Sequence, residues 1–430
     1  MTPPAPQILL VSVRRRPQIP RLSVLNVLFT LKCCCTRHLS DIGKAPQENA
    51  PHTVSATPKP RNKQIKQDLV AEFRDLRPTY LAPKDPVVLC HGLFGFDSLT
   101  SIKYWRGIQE SLEASGVQVY TAAVAPTATI ELRAKYLERA ILLQIVKPLQ
   151  DNACGAPLKG PIYINLVGHS MGGLDARYYI SKLLPRYNEL ARQSGQPERA
   201  SDTDEFTRSL VQALDLGSGG GGGDGKPWTI PIPEICVRSL TTISTPHRGS
   251  SFADHLMASP LSPARVPGLY KLLPSLGFDY AFDRNPYSKS GAILQNEAQA
   301  PADETTGAFR QLTRAYLTKT FNPNVPDDPS VAYFSYGSAY WPQWWHMNLF
   351  FGPAQKVIYS EEGPNDGLVS VASARWGHYL GTIENVNHLD LINWPNSFDL
   401  MWAHLIHRKP PFNAIAMYLS ITDMLAREGF

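Results

Sequence analysis

Three residue types in this chain could together carry out acyl transfer: a serine held between glycines, an acid in a turn and a histidine in a polar loop. The serine is Ser170, in Gly168-His169-Ser170-Met171-Gly172-Gly173. A serine hydroxyl becomes a good nucleophile only when a neighbouring base takes its proton, and that base needs an acid to fix its tautomer and stabilise its cation. His388, in Val386-Asn387-His388-Leu389-Asp390, and Asp366, in Gly363-Pro364-Asn365-Asp366-Gly367, are assigned to these roles. A developing oxyanion also needs two backbone N–H donors. These are expected from Met171, directly after the serine, and from Leu93 in His91-Gly92-Leu93-Phe94-Gly95. His247 and Asp254, in the loop after Ser244, are rival triad members. His378, His404 and His407 compete with His388, and Glu361 and Glu362 compete with Asp366. His91 reads as a structural residue holding its loop by hydrogen bonds.

The elements that must position these residues are legible around them. Ile162, Ile164, Leu166 and Val167 form a strand-like run into Ser170, and Leu174, Ala176, Tyr178, Tyr179, Leu183 and Leu184 follow with helical spacing. So tight a strand-to-helix turn presses the residues two before and two after the serine against other backbone, which calls for Gly168 and Gly172. The helix start also aims N–H groups and partial positive charge at the serine oxygen. Pro86–Cys90 reads as a strand buried on both faces, and Gly116–Tyr120 as the next strand. Thr129 opens a helix-periodic segment to Val146, Ile235–Ser244 is a further strand, and Lys356–Tyr359 is expected as a short strand before the acid. Alternating strands and helices of this kind make a doubly wound parallel sheet. The order Ser170, Asp366, His388 is that of the α/β-hydrolase fold: an α/β protein with a mostly parallel sheet, flanking helices and here an inserted lid or cap.

The insertion is residues 255–330, Pro-punctuated and helical in Leu261–Leu276 and Gly307–Thr318. Residues 187–233 are expected as a flexible insertion around the glycine run Gly217–Gly225. Val331–Phe351 holds nine aromatic residues in 21. It is either a strand with core packing or a wall facing acyl chains or a membrane.

The 430 residues carry a formal charge of +5, but residues 1–66 contain 11 Lys/Arg against Asp41 and Glu48. The remainder has 31 basic and 35 acidic residues, a balance of −4, so the body gives nucleic-acid binding no support. Residues 1–40 have arginines and no acid, the signature of a mitochondrial transit peptide, with Ser40 as the expected new N-terminus. A secretory signal built on Leu22–Leu31, or an uncleaved tail, is the alternative; that stretch is too short for the roughly 20 residues of a membrane span. Residues 41–66 read as a disordered linker and 67–430 as the catalytic domain. The cysteines at 33, 34, 35, 90, 154 and 236 lack metal-ligand spacing. They read as free thiols, with a disulfide among the last three as the alternative.

Taken together, several stretches resemble bacterial true lipases of the Pseudomonas and Burkholderia type and, more closely, their yeast mitochondrial triacylglycerol lipase relatives. They are His91-Gly92-Leu93 with Tyr104-Trp105-Arg106-Gly107-Ile108, Gly168–Gly173, Ser244–Ser250, Asn365–Val369 and Asn387–Asp390. The resemblance implies hydrolysis of long-chain acylglycerol esters by Ser170, Asp366 and His388, at a membrane or lipid-droplet surface and with no organic cofactor. It also marks residues 255–330 as the lid region. A phospholipase or acyltransferase with the same triad, or a catalytically silent binding module, are the other readings. The bacterial enzymes hold the histidine loop with calcium, and Asp390 matches one ligand. Trp394 stands where an amide ligand belongs, and residues 337–360 contain no carboxylate. Ca²⁺ takes six or more oxygens, so no metal is expected and Asp390 is expected to bond the loop backbone.

Overall fold

The computed structural model describes residues 69–93, 104–153, 156, 158–194, 205–214, 216, 231–260, 262, 307–341, 351–394 and 412–430, all in the compact unit Pro60–Phe430. The leader, the linker, the glycine run, residues 263–306, His404 and His407, and Trp344, Trp345 and Phe350 lie outside the described residues.

Six strands, β1 Val87–Cys90, β2 Val119–Ala122, β3 Ile162–His169, β4 Ile235–Ile243, β5 Ala332–Ala339 and β6 His378–Glu384, pair in parallel in the order β2-β1-β3-β4-β5-β6. The helices that bear on the site are α1 Ile108–Ala114, α2 Ile130–Ile141, α3 Gly172–Tyr178, α4 Ser251–Ala258, α5 Phe351–Glu362 and α6 Ala414–Arg427. This is the expected α/β-hydrolase architecture. β1 is buried along its length because its side chains feed both faces of the sheet. Val88 and Cys90 join a core with Leu137 and Ile141 of α2 and Ala176 of α3, while Val87 and Leu89 join one with Ile108 of α1 and Met417 and Ile421 of α6. After β1 the chain turns to one side for β2 and to the other for β3. The carboxyl ends of β1 and β3 therefore flank the switch point where such sheets bind ligands. Their register, Cys90 opposite Gly168, sets the loop after β1 beside Ser170.

Several expectations shift. β2 starts later than Gly116 because that residue, at φ 83°, closes α1: the N–H groups of Gly116 and Val117 bond the carbonyls of Glu113 and Leu112. Thr129 caps α2, its side chain accepting the Leu132 N–H, and the helix passes through a π-turn at Leu142–Val146 before continuing to Asn152. The stretch Lys356–Tyr359 is not a strand but part of α5. Ala354, Gln355 and Ile358 are buried at helical spacing, a distinction that four apolar-rich residues cannot carry by themselves. The strand here is β5 instead, drawn from the aromatic segment; Tyr336 within it and Tyr340 just after it are buried, while Trp341 is exposed. The helix Leu184–Gln193 runs into the segment 187–233 expected as a flexible insertion, and the helix Glu205–Ala213 lies within it; Leu190, Leu210 and Val211 join the core. No helix among the described residues is long and apolar enough to cross a membrane.

Candidate active site

Ser170 sits between β3 and α3 at φ 55°, a left-handed backbone that costs a non-glycine residue about 1 kcal/mol or more. Its N–H is held by the carbonyl of Ile243 at 2.9 Å. The crowding expected at the flanking glycines is present. A Cβ on Gly168 would lie 2.6 Å from the Gly173 Cα, and one on Gly172 would lie 2.7 Å from the His91 carbonyl oxygen. Gly92 runs directly over the serine: a Cβ there would stand 2.6 Å from the Ser170 Cβ and 3.1 Å from its Oγ. Leu93 and Met171 meet in one apolar cluster with Ile130, Leu174, Leu317 and Phe321, so the loop after β1 and the start of α3 are packed together.

Asp366 and His388 come from turns that follow α5 and β6. His388 Nδ1 lies 2.7 Å from Asp366 Oδ2, and the His388 N–H donates to the Asp366 carbonyl at 3.0 Å. The other carboxylate oxygen of Asp366 accepts the N–H groups of Leu368 and Val369, at 3.0 and 2.8 Å. Both side chains are buried. The His388 ring packs at 4.6 Å against that of His169, the residue before Ser170. The rivals go elsewhere. His247 is buried with Thr242 Oγ1 at 3.1 Å and stacks on Trp376 at 4.9 Å; burial and then the Arg177 charge hold it well below the ordinary histidine range. Asp254 pairs with Arg314, Glu361 with Arg314 and His255, and Glu362 accepts from Ser251 and Ser370. His378 is exposed at the start of β6.

No protein-family model matches the chain. It is 34% identical over 325 residues to a triacylglycerol lipase of Pseudomonas fragi, covering 72% of this chain and 87% of that one. The chain belongs to the triacylglycerol lipase family. It is also 29% identical over 415 residues to triacylglycerol lipase 2 of Saccharomyces cerevisiae, covering 86% of this chain and all of that one. The crystal structure of Staphylococcus hyicus lipase shares the fold, with a TM-score of 0.51 and 20% identity over 82% of this chain and 98% of that one.

Within the lipase family's expected calcium position, the residues present here do not fit the ion. Asp390 Oδ2 accepts the Asn387 N–H at 3.0 Å, and Asn387 Oδ1 accepts the N–H groups of Leu389 and Asp390. The Trp394 indole N–H donates to the Tyr104 carbonyl at 3.0 Å.

Two site residues carry no role in the sequence reading. Arg133 of α2 is fully buried, bonds both Asp175 oxygens and donates to the His91 carbonyl at 2.7 Å, which braces the glycine loop from behind. Arg133 and its partner Asp175 do have a signal in the sequence, a charge in phase with the apolar face: Arg133 stands one helical turn before Leu137, and Asp175 sits between Leu174 and Ala176. The other is Tyr104, buried with its ring against those of His91 and Trp105. His91 itself is structural in its contacts: Nε2 accepts the Val124 N–H at 3.1 Å and Nδ1 lies 3.0 Å from the Gly92 carbonyl. Of the body cysteines, Cys90 and Cys236 are free thiols.

Proposed function

We propose that this protein hydrolyses the carboxylic esters of acylglycerols through an acyl-enzyme on Ser170. His388 takes the Ser170 proton as Oγ attacks the ester carbonyl, and Asp366 fixes the tautomer that makes this possible. The N–H groups of Leu93 and Met171 hold the oxyanion. Collapse expels the alcohol, protonated by His388, and a water deprotonated by His388 then releases the fatty acid. The observation that carries the reading is the buried 2.7 Å Asp366–His388 pair set against His169, next to a serine on a strained turn beneath Gly92. Acylglycerol as substrate is supported by the triacylglycerol lipases among the relatives.

The test is turnover of triacylglycerol, diacylglycerol and phospholipid emulsions by the form starting near Asp41. The wild type is expected to prefer the acylglycerols, Ser170→Ala to be inactive, and Asp366→Asn to lose about 10⁴-fold in kcat. Undiminished turnover by Ser170→Ala would overturn the mechanism, and preference for phospholipid would overturn the substrate. The acid-free, Arg-rich residues 1–40 support a mitochondrial destination, with the enzyme meeting its substrate at a membrane or lipid-droplet surface. A reporter fused to residues 1–45 that stays cytosolic removes the mitochondrial part.

A further inference from the structure

Tyr104 touches three segments that must meet for the reaction proposed above. Its hydroxyl oxygen accepts the Gly92 N–H at 3.0 Å and lies 2.7 Å from Nδ1 of His169. Its carbonyl accepts the Trp394 indole N–H, and two residues on the Arg106 carbonyl accepts Asn393 Nδ2–H at 2.7 Å. Gly92 belongs to the glycine loop, His169 immediately precedes Ser170, and Asn393 and Trp394 close the short turn that follows His388. The bond from Trp394 is half-buried and that from Asn393 is exposed, while the two bonds at the Tyr104 hydroxyl are shielded from water, since Tyr104, Trp105 and His169 are all buried. Hydrogen bonds in so dry a place are strong and costly to break.

The packing leaves little slack between the segments. A Cβ on Gly92 would meet Ser170 on one side and, at 3.0 Å, the Tyr104 hydroxyl on the other, so the glycine is clamped between them. His169 lies against His388 with ring centroids 4.6 Å apart. Burial, and then the His388 charge, hold His169 well below the ordinary histidine range. His169 thus bonds Tyr104 through Nδ1 and packs its ring on His388, touching both the tyrosine and the histidine loop.

We propose that Tyr104, together with His169, is a positioning residue that couples the glycine loop to the histidine loop, so that oxyanion donor and base are set on Ser170 together. In this arrangement the Gly92 N–H donates to the tyrosine oxygen and the tyrosine O–H donates to His169 Nδ1, which leaves the His169 proton on Nε2. The coupling also supplies from protein side chains a support for the histidine loop, where the residues around Asp390 make no calcium site. The inference rests on the serine-hydrolase reading, and its test separates the two.

The experiment uses the full chain and a soluble ester, p-nitrophenyl butyrate. Tyr104→Phe keeps the ring and the carbonyl and removes only the hydroxyl. Its kcat is expected to fall about 10- to 100-fold with KM within about twofold, because the lost contact acts on the transition state. His169→Gln, which keeps one donor and one acceptor, is expected to retain more kcat than His169→Leu, and it serves if Tyr104→Phe does not fold. The second readout needs no turnover: the low-field proton resonance of His388 Nδ1–H on Asp366 is expected to shift or broaden in Tyr104→Phe. The proposal is overturned if Tyr104→Phe and His169→Leu both keep kcat within about twofold of wild type, or if that resonance is unmoved in both. A wild type without ester turnover whose resonance still moves in Tyr104→Phe would keep the coupling and overturn the hydrolase reading.

Discussion

Two ion-pair clusters brace this site, one inside the protein and one on its surface, and they do different work. Arg133 and Asp175 pair at 2.7 Å with both side chains essentially fully buried. Arg314, Asp254, Glu361 and His255 form a chain of pairs with side chains 29–52% exposed, joining α4 and α5 to the segment that begins at Thr313. Burial pushes the Asp175 carboxyl up to about 6 against the pull of the Arg133 charge and its hydrogen bonds. A pair buried this deeply is expected to contribute more to geometry than to net stability, because removing two charges from water costs about as much as their attraction returns. The largest effect should follow from breaking it one-sidedly. Arg133→Ala strands a buried carboxylate and removes the donor from the His91 carbonyl, so urea unfolding should show a loss of about 3–5 kcal/mol. Replacing both, Arg133→Met with Asp175→Leu, should recover most of that stability while ester turnover stays low, because the glycine loop has lost its brace. Equal losses in the single and double variants would mean that the pair stabilises the fold directly.

The contrast extends to pH. His91, His169 and His247 are buried and held neutral: His91 is lowered to about 3, first by burial and then by the Arg133 charge, and the other two lie well below the ordinary range. A histidine whose folded pKa is depressed contributes stability that is present above its unfolded value near 6.5 and is lost as pH falls below it. Each takes up a proton on unfolding, so each should steepen the loss by about 1.4 kcal/mol per pH unit between roughly 6 and 4. His247→Gln should remove about one such increment of slope, read as the difference between variant and wild type in urea titrations. The surface cluster acts lower. Burial tends to raise Glu361, but hydrogen bonds from His255 and Arg314 hold it below the usual carboxylate range, so its contribution is lost only as pH falls through that range. An unchanged slope in His247→Gln would place the acid sensitivity in the carboxylates instead.

What could be read in advance divides along the same line. The strand-to-helix turn at Ser170, the glycine loop after β1, and the candidates Asp366 and His388 announce themselves through local spacing, because close backbone approach demands glycine at fixed offsets and an asparagine precedes both the acid and the histidine in its turn. Lys356–Tyr359 reads as a strand because four residues are too short to show a period; only the continuation of α5 back to Phe351 and on to Glu362 reveals one face. Arg133 and Asp175 lie 42 residues apart and Tyr104 and Trp394 290 apart, so each pairing is a product of tertiary packing that no window could join. The charge on an apolar face did signal that Arg133 needed a partner, without naming it. Tyr104 carried no such signal, since a tyrosine beside a tryptophan reads equally well as core.

The smallest effect should come from the surface cluster, and it tests the comparison from its other end. Arg314 donates to Asp254 and Glu361 with 38% of its side chain exposed, where a single pair adds about 0.2–1 kcal/mol and is screened by salt. Its backbone N–H also bonds Asp254 Oδ1 at 3.0 Å, a contact that side-chain truncation leaves in place. Arg314→Ala should therefore cost about 1 kcal/mol at low ionic strength and roughly half that in 1 M salt, with kcat on a soluble ester within about twofold of wild type. A salt-independent loss near that of Arg133→Ala would mean that this network, although exposed, acts as a rigid core element. The division between a buried pair that sets geometry and a surface network that adds modest stability would then have to be abandoned.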